Sequence, residues 1–374
     1  MYDNLDDIIN TLRLIRTDGI GYVTFYSLMK LFGNATVAID NLESNDLIRK
    51  VKKIVSRKII QEELERLDLI GGRVIVYTDD LYPILLKGFK HSPPAITVIG
   101  NYKEVLFYKF RYVVAIVGSR NASLNALHLC RSISNKLAER NTLIISGLAH
   151  GIDTAAHSVV SLGYHTVAIL GNGADIVYPK SNKRLYSEIC DKSIVISEYP
   201  LGHKPLPSNF PRRNRTIAGM SQGVLVIEAK RSSGSMTTAK YALEHNRCVF
   251  AVPAFPNSCN SSGVNYLIKN GACLVEKADD ILESLSSLSS CDLHEVKENK
   301  DFFSNSISKL SSTEKHELYD RILGLLSDMP VSIENIVREL QLPTKVVLMI
   351  IVELEILGYI QRNDSDECFL LIKA

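Results

Sequence analysis

The stretch YVVAIVGSR, residues 112–120, decides the fold of the central part of this chain. It is a continuous apolar run that ends in a glycine and two polar residues, which is typical of a strand buried on both faces and followed by a loop. Similar runs follow it and alternate with helical segments; they are Leu143–Ser146, Thr166–Leu170, Ile194–Ser197, Val224–Glu228, Cys248–Val252 and a short Cys273–Val275. The alternation predicts a Rossmann-like, doubly wound α/β domain with a parallel sheet.

Smaller segments flank this domain. Strand-like Arg73–Tyr77 and Ala95–Ile99 lead into the sheet. Residues 1–72 hold two helical periods around Asp18-Gly19-Ile20-Gly21, which resembles a helix-hairpin-helix and is interpreted as a packing or protein-contact module. Beyond a serine-rich segment, three helices and a β-hairpin give a winged-helix outline. The predicted domains are 1–72 helical, 73–285 Rossmann-like, 286–312 linker and 313–374 winged helix, with the last three helices at Glu314–Leu326, Ile333–Leu340 and Thr344–Leu357.

The charge of the chain is unevenly distributed. The whole chain carries a net +2, but residues 111–278 hold 19 Lys and Arg against 9 Asp and Glu, a net +10. Residues 313–374 hold 6 against 11, a net −5. A positive field confined to one domain indicates a polyanionic partner for that domain.

Composition excludes several other classes. The apolar runs, such as Val346–Val352, are too short to span a bilayer, so no membrane association is expected. The start of the chain is acidic where a secretory signal would be basic, which predicts a cytoplasmic protein. The seven cysteines are scattered and form no C-x-x-C pair, which argues against a disulfide framework and a zinc ribbon.

Glycine-bearing polar loops follow the predicted strands, where backbone N–H groups can meet an anion. Gly118-Ser119-Arg120 combines close backbone approach with an arginine fork suited to phosphate. The segment from Phe210 to Arg215 sets three guanidinium groups beside a ring that can stack on a base. Candidate binding residues in these and the neighbouring loops are Gly118, Ser119, Arg120, Ser146, Gly147, Phe210, Arg212, Arg213, Asn214, Arg215, Gly234, Ser235 and Thr237.

Three enzyme-like patterns carry less weight. Asp153 and His157, four residues apart, lack a third metal ligand, so Asp153 is interpreted as a helix cap and no metal is predicted. Gly171-Asn172-Gly173 lacks the last glycine of a dinucleotide fingerprint, so no cofactor is predicted and a tight strand–turn–helix junction is expected there. Gly219-Met220-Ser221-Gln222-Gly223 precedes a strand, whereas a nucleophile elbow follows one.

Taken together, the ordered motifs closely resemble the bacterial DNA-processing family known as DprA or Smf. The resemblance is strong over about residues 82–278 and rests on Gly118-Ser119-Arg120, Ser146-Gly147-Leu148-Ala149, Gly151-Ile152-Asp153, Tyr178-Pro179, Ser197-Glu198-Tyr199-Pro200, Phe210-Pro211-Arg212-Arg213-Asn214-Arg215 and Ser233-Gly234-Ser235. It makes Arg120 a phosphate-binding arginine, Arg212 to Arg215 an arginine-rich loop, and Phe210 the stacking aromatic. The cation that the family places just before that aromatic is replaced here by Pro207-Ser208-Asn209, and the nearest candidate is Lys204.

The resemblance implies an extended Rossmann fold that binds single-stranded DNA, forms a homodimer and loads the RecA recombinase onto strands coated by single-strand-binding protein. It implies a role in DNA recombination and in the natural transformation of bacteria in the state of competence, and it implies no catalysis. The predicted winged-helix recognition helix, Thr344–Leu357, carries Lys345 as its one cation beside Glu353 and Glu355, which favours a protein contact over duplex DNA.

Two alternatives remain open. This type of fold resembles a phosphoribohydrolase group of nucleotide-processing hydrolases, whose loop reads P-G-G-x-G-T-x-x-E. Here the matching stretch, Ser232 to Lys240, has neither the double glycine nor the glutamate. The other alternative is a scaffold whose basic face binds an acidic protein.

Overall fold

The computed structural model describes residues 5–45, 53–89, 92–102, 105, 107–256, 258, 260, 262–289, 312–327, 329–363 and 367–371. These residues fall into two compact units, which are Met1–Gln61 with Glu295–Ala374, and Glu62–His294. Among them, none of the helices combines the length and apolar character needed to cross a bilayer. Most of the predicted linker 286–312 lies outside the described residues.

The second unit is built on one mixed sheet of nine strands. They are β1 (Gly72–Val76), β2 (Ala95–Gly100), β3 (Tyr112–Gly118), β4 (Thr142–Ser146), β5 (Thr166–Leu170), β6 (Ile194–Ser197), β7 (Gly223–Ile227), β8 (Cys248–Ala251) and β9 (Cys273–Leu274). Their order across the sheet is β1-β2-β6-β5-β4-β3-β7-β8-β9. In that order, the seven strands from β6 through β5, β4, β3, β7 and β8 to β9 run parallel to one another. Beyond β6, β2 pairs antiparallel with β6, and β1 pairs antiparallel with β2. The predicted doubly wound α/β fold is confirmed.

Helices cover both faces of this sheet. The first three helices of the chain, α1 (Leu5–Arg16), α2 (Tyr22–Phe32) and α3 (Ala35–Ser44), belong to the first unit, and α4 (Arg57–Leu69) spans the boundary after Gln61. The following helices of the second unit are α5 (Ile84–Lys87), α6 (Leu124–Glu139), α7 (Ile152–His157), α8 (Lys183–Lys192), α9 (Asn209–Gly219), α10 (Gly234–Glu244), α11 (Ser262–Lys269) and α12 (Ala278–Ser289). Alternate β3 residues face opposite sides: Val113 and Ala115 pack in one core layer, while Val114 and Ile116 pack in the other. This alternation explains why the strand reads as an unbroken apolar run.

The strand order reverses at β3, which has β4 on one side and β7 on the other. In open α/β sheets, the crevice for ligands lies beyond the carboxyl ends of the strands at such a switch point. Gly118 ends β3 there, so the loop Gly118-Ser119-Arg120 stands at the mouth of that crevice.

One predicted junction is different in the structure. The segment after β5 was expected to turn directly into a helix, but residues 171–179 form an irregular loop and a short 3₁₀ helix, Lys180–Asn182, comes before α8. The loop is fixed by side chains: the Asp175 carboxylate accepts a hydrogen bond from the Gly202 N–H at 2.8 Å. These tertiary contacts replace the local turn that the sequence suggested.

The first unit combines the chain's two ends. Helices α1 to α3 pack together, and the C-terminal part adds α13 (Ser312–Leu325), β10 (Val331–Ser332), α14 (Ile333–Leu340), α15 (Thr344–Ile356), β11 (Ile360–Arg362) and β12 (Glu367–Leu370). Helix α15, the recognition helix of a winged helix, is buried from Val347 to Leu354 and packs against α2. The predicted N-terminal helical and C-terminal winged-helix folds are confirmed.

Candidate nucleic-acid interface

A cleft of about 810 Å³ opens at the carboxyl ends of β3 and β7, between the first turns of α9 and α10. It brings together candidate residues from three separate segments. Those that line it are Gly118, Ser119, Arg120, Phe210, Arg213, Asn214, Gly234, Ser235 and Thr237.

The Gly118-Ser119-Arg120 loop is held rigidly by backbone contacts. Ser119 N–H donates to the Ile227 carbonyl at 3.3 Å, and Ser119 carbonyl accepts from Ile152 N–H at 3.2 Å. Gly151 has a φ of +75°, and a Cβ there would overlap the Ser119 carbonyl, so glycine is required for this close approach. The exposed Arg120 therefore projects from a fixed loop.

Arg213 is a buried arginine that joins the segments around the cleft. It was predicted to lie in an arginine-rich loop; that prediction is wrong, because residues 209–219 form helix α9. Arg213 is buried, and its Nη1 donates to the carbonyls of Gly147 at 2.5 Å and Ile169 at 2.7 Å. A Cβ at Gly147 would overlap this guanidinium. Arg213 thus ties α9 to the ends of β4 and β5.

Phe210, at the start of α9, forms an aromatic wall of the cleft. The Arg120 guanidinium carbon lies 5.4 Å from its ring centre, within the range of a cation–π contact. The ring of Tyr178 lies 5.7 Å away, centre to centre, with a 33° tilt. An aromatic surface and an exposed cation are thereby placed side by side.

The opposite wall is the first turn of α10. Lys230 is exposed and lines the cleft, and Asn214 Nδ2 donates to the Gly234 carbonyl at 3.1 Å. The Ser233 and Ser235 hydroxyls lie 3.0 Å apart. The N–H groups of a helix's first turn have no intrahelical acceptor, so this turn offers donors and a positive dipole end to an anion.

Other candidate residues do not line this cleft. The buried Ser146 hydroxyl donates to the Ile116 carbonyl at 2.6 Å, Arg212 pairs with Glu198 at 3.6 Å, and Arg215 lies over the Tyr241 ring at 5.5 Å. Lys204 is exposed on the loop before α9, and Gly147 lines a smaller adjoining cavity. Arg212 and Arg215 were expected to bind phosphate; the structure instead places them against protein groups.

Asn260, Tyr178 and Lys230 are among the cleft residues that sequence reasoning missed. Asn260 donates from Nδ2 to the Ser119 hydroxyl at 3.3 Å and to the Asn121 carbonyl at 3.1 Å, although it lies about 140 residues away in the chain. Tyr178 belongs to the Tyr178-Pro179 motif but was not selected as a binding residue, and Lys230 follows the predicted strand Val224–Glu228. The aromatic character of Tyr178, next to a glycine-rich strand end, was the available signal.

The cleft is electropositive. Among its described lining residues, Arg120, Arg213 and Lys230 stand against a single carboxylate, Asp153. Asp153 is buried and accepts from the Ala149 N–H at 3.3 Å; its burial raises the carboxyl pKa, against the opposing effect of the Arg213 guanidinium. The net field therefore attracts an anion.

His157 and Asp153 are engaged within the protein. The fully buried His157 ring places Nδ1 2.8 Å from the Thr166 hydroxyl, and burial lowers its pKa to about 3. Its neutral imidazole does not line the cleft. His157 is therefore part of the core, whereas Asp153, although buried, is one of the residues that line the cleft.

Lowering the pH from 7 to 5 is expected to reduce the unfolding free energy of the second unit by about 2 kcal/mol, because His157 is protonated in the unfolded state and not in the folded state. Its folded pKa lies below the ordinary value of about 6.5, so the unfolded state binds the extra proton and stability falls as pH falls through that window. Asp153, whose folded pKa is raised by burial, acts in the opposite sense, because the folded state takes up its proton before the unfolded state as the pH falls.

Urea unfolding at both pH values, for the wild type and His157→Gln, isolates the His157 contribution. The variant is expected to lose about 2 kcal/mol less than the wild type between pH 7 and 5. An identical pH dependence in both proteins would show that His157 does not titrate in this window.

These features define a Rossmann-like α/β protein whose basic, aromatic-walled cleft lies at the switch point of the sheet. Sequence comparison then gives the family. The profile described as "DNA recombination-mediator protein A" matches residues 73–286, the DprA winged helix domain matches 308–364, and the DprA-like N-terminal HHH domain matches 6–65. The chain belongs to this DNA recombination-mediator family, DprA or Smf.

Individual relatives agree. DNA processing protein DprA of Streptococcus pneumoniae is 42% identical over 205 residues, covering 54% of this chain and 71% of the relative. Protein Smf of Synechocystis is 40% identical over 211 residues, covering 56% of this chain, and the match spans about half of the relative, 53%.

Solved structures resemble the fold as well. The X-ray structure of S. pneumoniae DprA has a TM-score of 0.62 at 32% identity, covering 74% of this chain and 96% of that one. DNA processing protein A of Helicobacter pylori, described by its single-stranded DNA binding mode, has a TM-score of 0.52 at 25% identity, covering 58% of this chain and 96% of that one.

Proposed function

We propose that the cleft binds single-stranded DNA. The observation that carries this proposal is the position of Arg120, an exposed cation that lies 5.4 Å from the Phe210 ring and lines the same cleft as the first turn of α10. A phosphate can meet the guanidinium and the helix N–H groups while its base meets the ring. The structure of the H. pylori relative, which is described as binding single-stranded DNA, agrees with this proposal.

The aromatic wall favours single strands over duplex. Stacking on a ring requires a base whose face is accessible, and in a duplex both faces are covered by neighbouring bases. In this proposal, Arg120, Lys230 and the start of α10 contact the phosphate backbone of the strand. Binding of this kind tolerates any sequence and depends on salt.

The proposed role of this binding is recombination mediation without catalysis. In this proposal the chain, a cytoplasmic homodimer, holds single-stranded DNA and helps RecA displace single-strand-binding protein. The family's description as a recombination mediator agrees with it. The segment Ser232 to Lys240, which would carry the glutamate of a phosphoribohydrolase, contributes serine, glycine and threonine to the cleft.

The wild-type protein is expected to shorten the lag of RecA ATP hydrolysis on single-stranded DNA coated with single-strand-binding protein. Arg120→Ala is expected to lose this effect, because it removes the cleft's exposed guanidinium. Arg140→Ala is the matched control and should behave as wild type. Arg140 is an exposed arginine that follows α6, at the amino ends of the strands. An unchanged lag with wild-type protein that binds the strand would contradict the RecA proposal.

For the winged helix we propose a protein-contact role. Helix α15 is buried against α2, and its Glu353 accepts hydrogen bonds from Tyr319 Oη at 2.6 Å and Asn45 Nδ2 at 3.0 Å. The buried Arg362 pairs with Glu355 at 2.6 Å and donates to the Ser27 hydroxyl at 2.9 Å. A helix engaged in this way cannot enter a major groove without first leaving α2.

A further inference from the structure

We infer that Tyr178 is a second base-stacking platform, so that the cleft receives two bases of the strand, one on Phe210 and one on Tyr178. This inference rests on the proposed single-stranded DNA binding and deepens it. It starts from exposure: Tyr178 is 41% exposed, although an apolar ring of this size gains free energy from burial. A ring left open beside a basic cleft is available to a ligand.

The position of the ring agrees with this role. Tyr178 lines the main cleft and also a smaller cavity of about 60 Å³ that shares Arg120, Phe210 and Arg213 with it. The two ring centres are 5.7 Å apart and tilted by 33°, which is too close for a base between them. The rings instead form one stepped aromatic surface, on which each ring can accept its own base.

The segment that carries Tyr178 is fixed in place. Asn182, four residues later and buried, donates from Nδ2 to the Leu148 carbonyl and to the Thr154 hydroxyl, both at 2.9 Å. Before the ring, Asp175 holds the Gly202 N–H. Both sides of the segment are thus bonded to other loops, so the ring is pre-positioned and stacking costs little ordering entropy.

Cations continue beyond the ring. Lys180, Lys183 and Arg184 follow Tyr178 on the short 3₁₀ helix and at the start of α8, and all three are exposed. A strand that leaves Phe210 over Tyr178 therefore keeps positive charge near its phosphates, as a single-stranded DNA groove requires.

Fluorescence anisotropy with a labelled oligothymidine of fixed length tests the inference. Tyr178→Leu is expected to weaken binding about 5- to 150-fold, the equivalent of one stacked base at about 1–3 kcal/mol. Tyr178→Phe keeps the ring and should bind within about two-fold of wild type. On an otherwise identical oligomer whose sugars carry no bases, the Tyr178→Leu effect should vanish.

A double variant separates stacking from support of Phe210. If Tyr178 takes its own base, Phe210→Leu and Tyr178→Leu together should bind more weakly than either single variant. If Tyr178 only holds Phe210 in position, the double variant should bind no more weakly than Phe210→Leu, which would overturn the inference. Equal affinity of wild type and Tyr178→Leu for the intact oligomer would also overturn it.

The sequence offers a direct optical readout, because the chain contains no tryptophan. In Tyr178→Trp the new indole is the only one, and stacking of a base on it should quench its emission. Tyr359→Trp, at a position of similar exposure, 42%, outside the cleft lining, is the control and should not be quenched. Binding without quenching in Tyr178→Trp would reject the stacking role, whereas absence of wild-type binding would reject the proposed function itself.

Discussion

Replacing Arg213 by alanine is expected to lower the unfolding free energy of the Rossmann-like unit by about 3–5 kcal/mol. The side chain is buried, and its guanidinium satisfies the carbonyls of Gly147 and Ile169 at the ends of two adjacent strands. Alanine leaves both carbonyls without this donor, leaves Asp153 without its nearby cation, and opens a cavity under the cleft. The main expected effect of Arg213→Ala is therefore lower stability, and any loss of ligand binding would follow from it.

Urea unfolding followed by circular dichroism measures this change. Arg184→Ala, an exposed arginine at the start of α8, is the control and should change stability by less than about 0.5 kcal/mol. If Arg213→Ala unfolds at the wild-type urea concentration, the anchoring role assigned to Arg213 is wrong.

Replacing Arg120 by alanine is expected to weaken single-stranded DNA binding about 10- to 100-fold while leaving stability unchanged. Arg120 is exposed on a loop that is held by the backbone hydrogen bonds of Ser119 with Ile227 and Ile152, so its removal leaves the loop in place. In the proposed complex, the Arg120 guanidinium binds one phosphate. The slope of log affinity against log salt should therefore become shallower by about 0.7.

Anisotropy titrations at several salt concentrations measure the affinity and its salt slope. The control Arg140→Ala provides the same charge change at the amino ends of the strands, away from the cleft. An Arg120→Ala protein with wild-type affinity and slope would remove the phosphate site from this loop. Comparison of Arg120→Ala with Arg213→Ala distinguishes an arginine that contacts DNA from one that supports the fold. Arg213→Ala should lower the unfolding free energy, whereas Arg120→Ala should lower the affinity without lowering stability.

Much of the sheet could be predicted from the sequence. The runs Thr166–Leu170 and Ile194–Ser197 coincide with β5 and β6, because a parallel strand buried on both faces must be apolar throughout. Helix α9 could not be predicted in the same way. Pro211 and the surrounding polar residues read locally as a loop, whereas the burial of Ile217 and Ala218 against the sheet makes the segment a helix.

The sequence predicted which segments form the candidate site, but not which of its arginines face the cleft and which bond to protein groups. An arginine fork suits a phosphate as well as two carbonyls, and the partners of Arg213 lie 66 and 44 residues away along the chain. No local pattern distinguishes the two uses. The contribution of Asn260 is equally non-local, since its contact with Ser119 depends on the order of β3, β7 and β8 in the folded sheet.

Titration of the wild-type protein with single-stranded and duplex DNA of one length, over a series of salt concentrations, tests the central claim most directly. The cleft predicts tighter binding of the single strand, with a slope of log affinity on log salt of about −0.7 for each phosphate neutralised. Equal affinity for duplex, or affinity for the single strand that does not change with salt, would contradict a cleft that joins phosphate-binding cations to base-stacking rings.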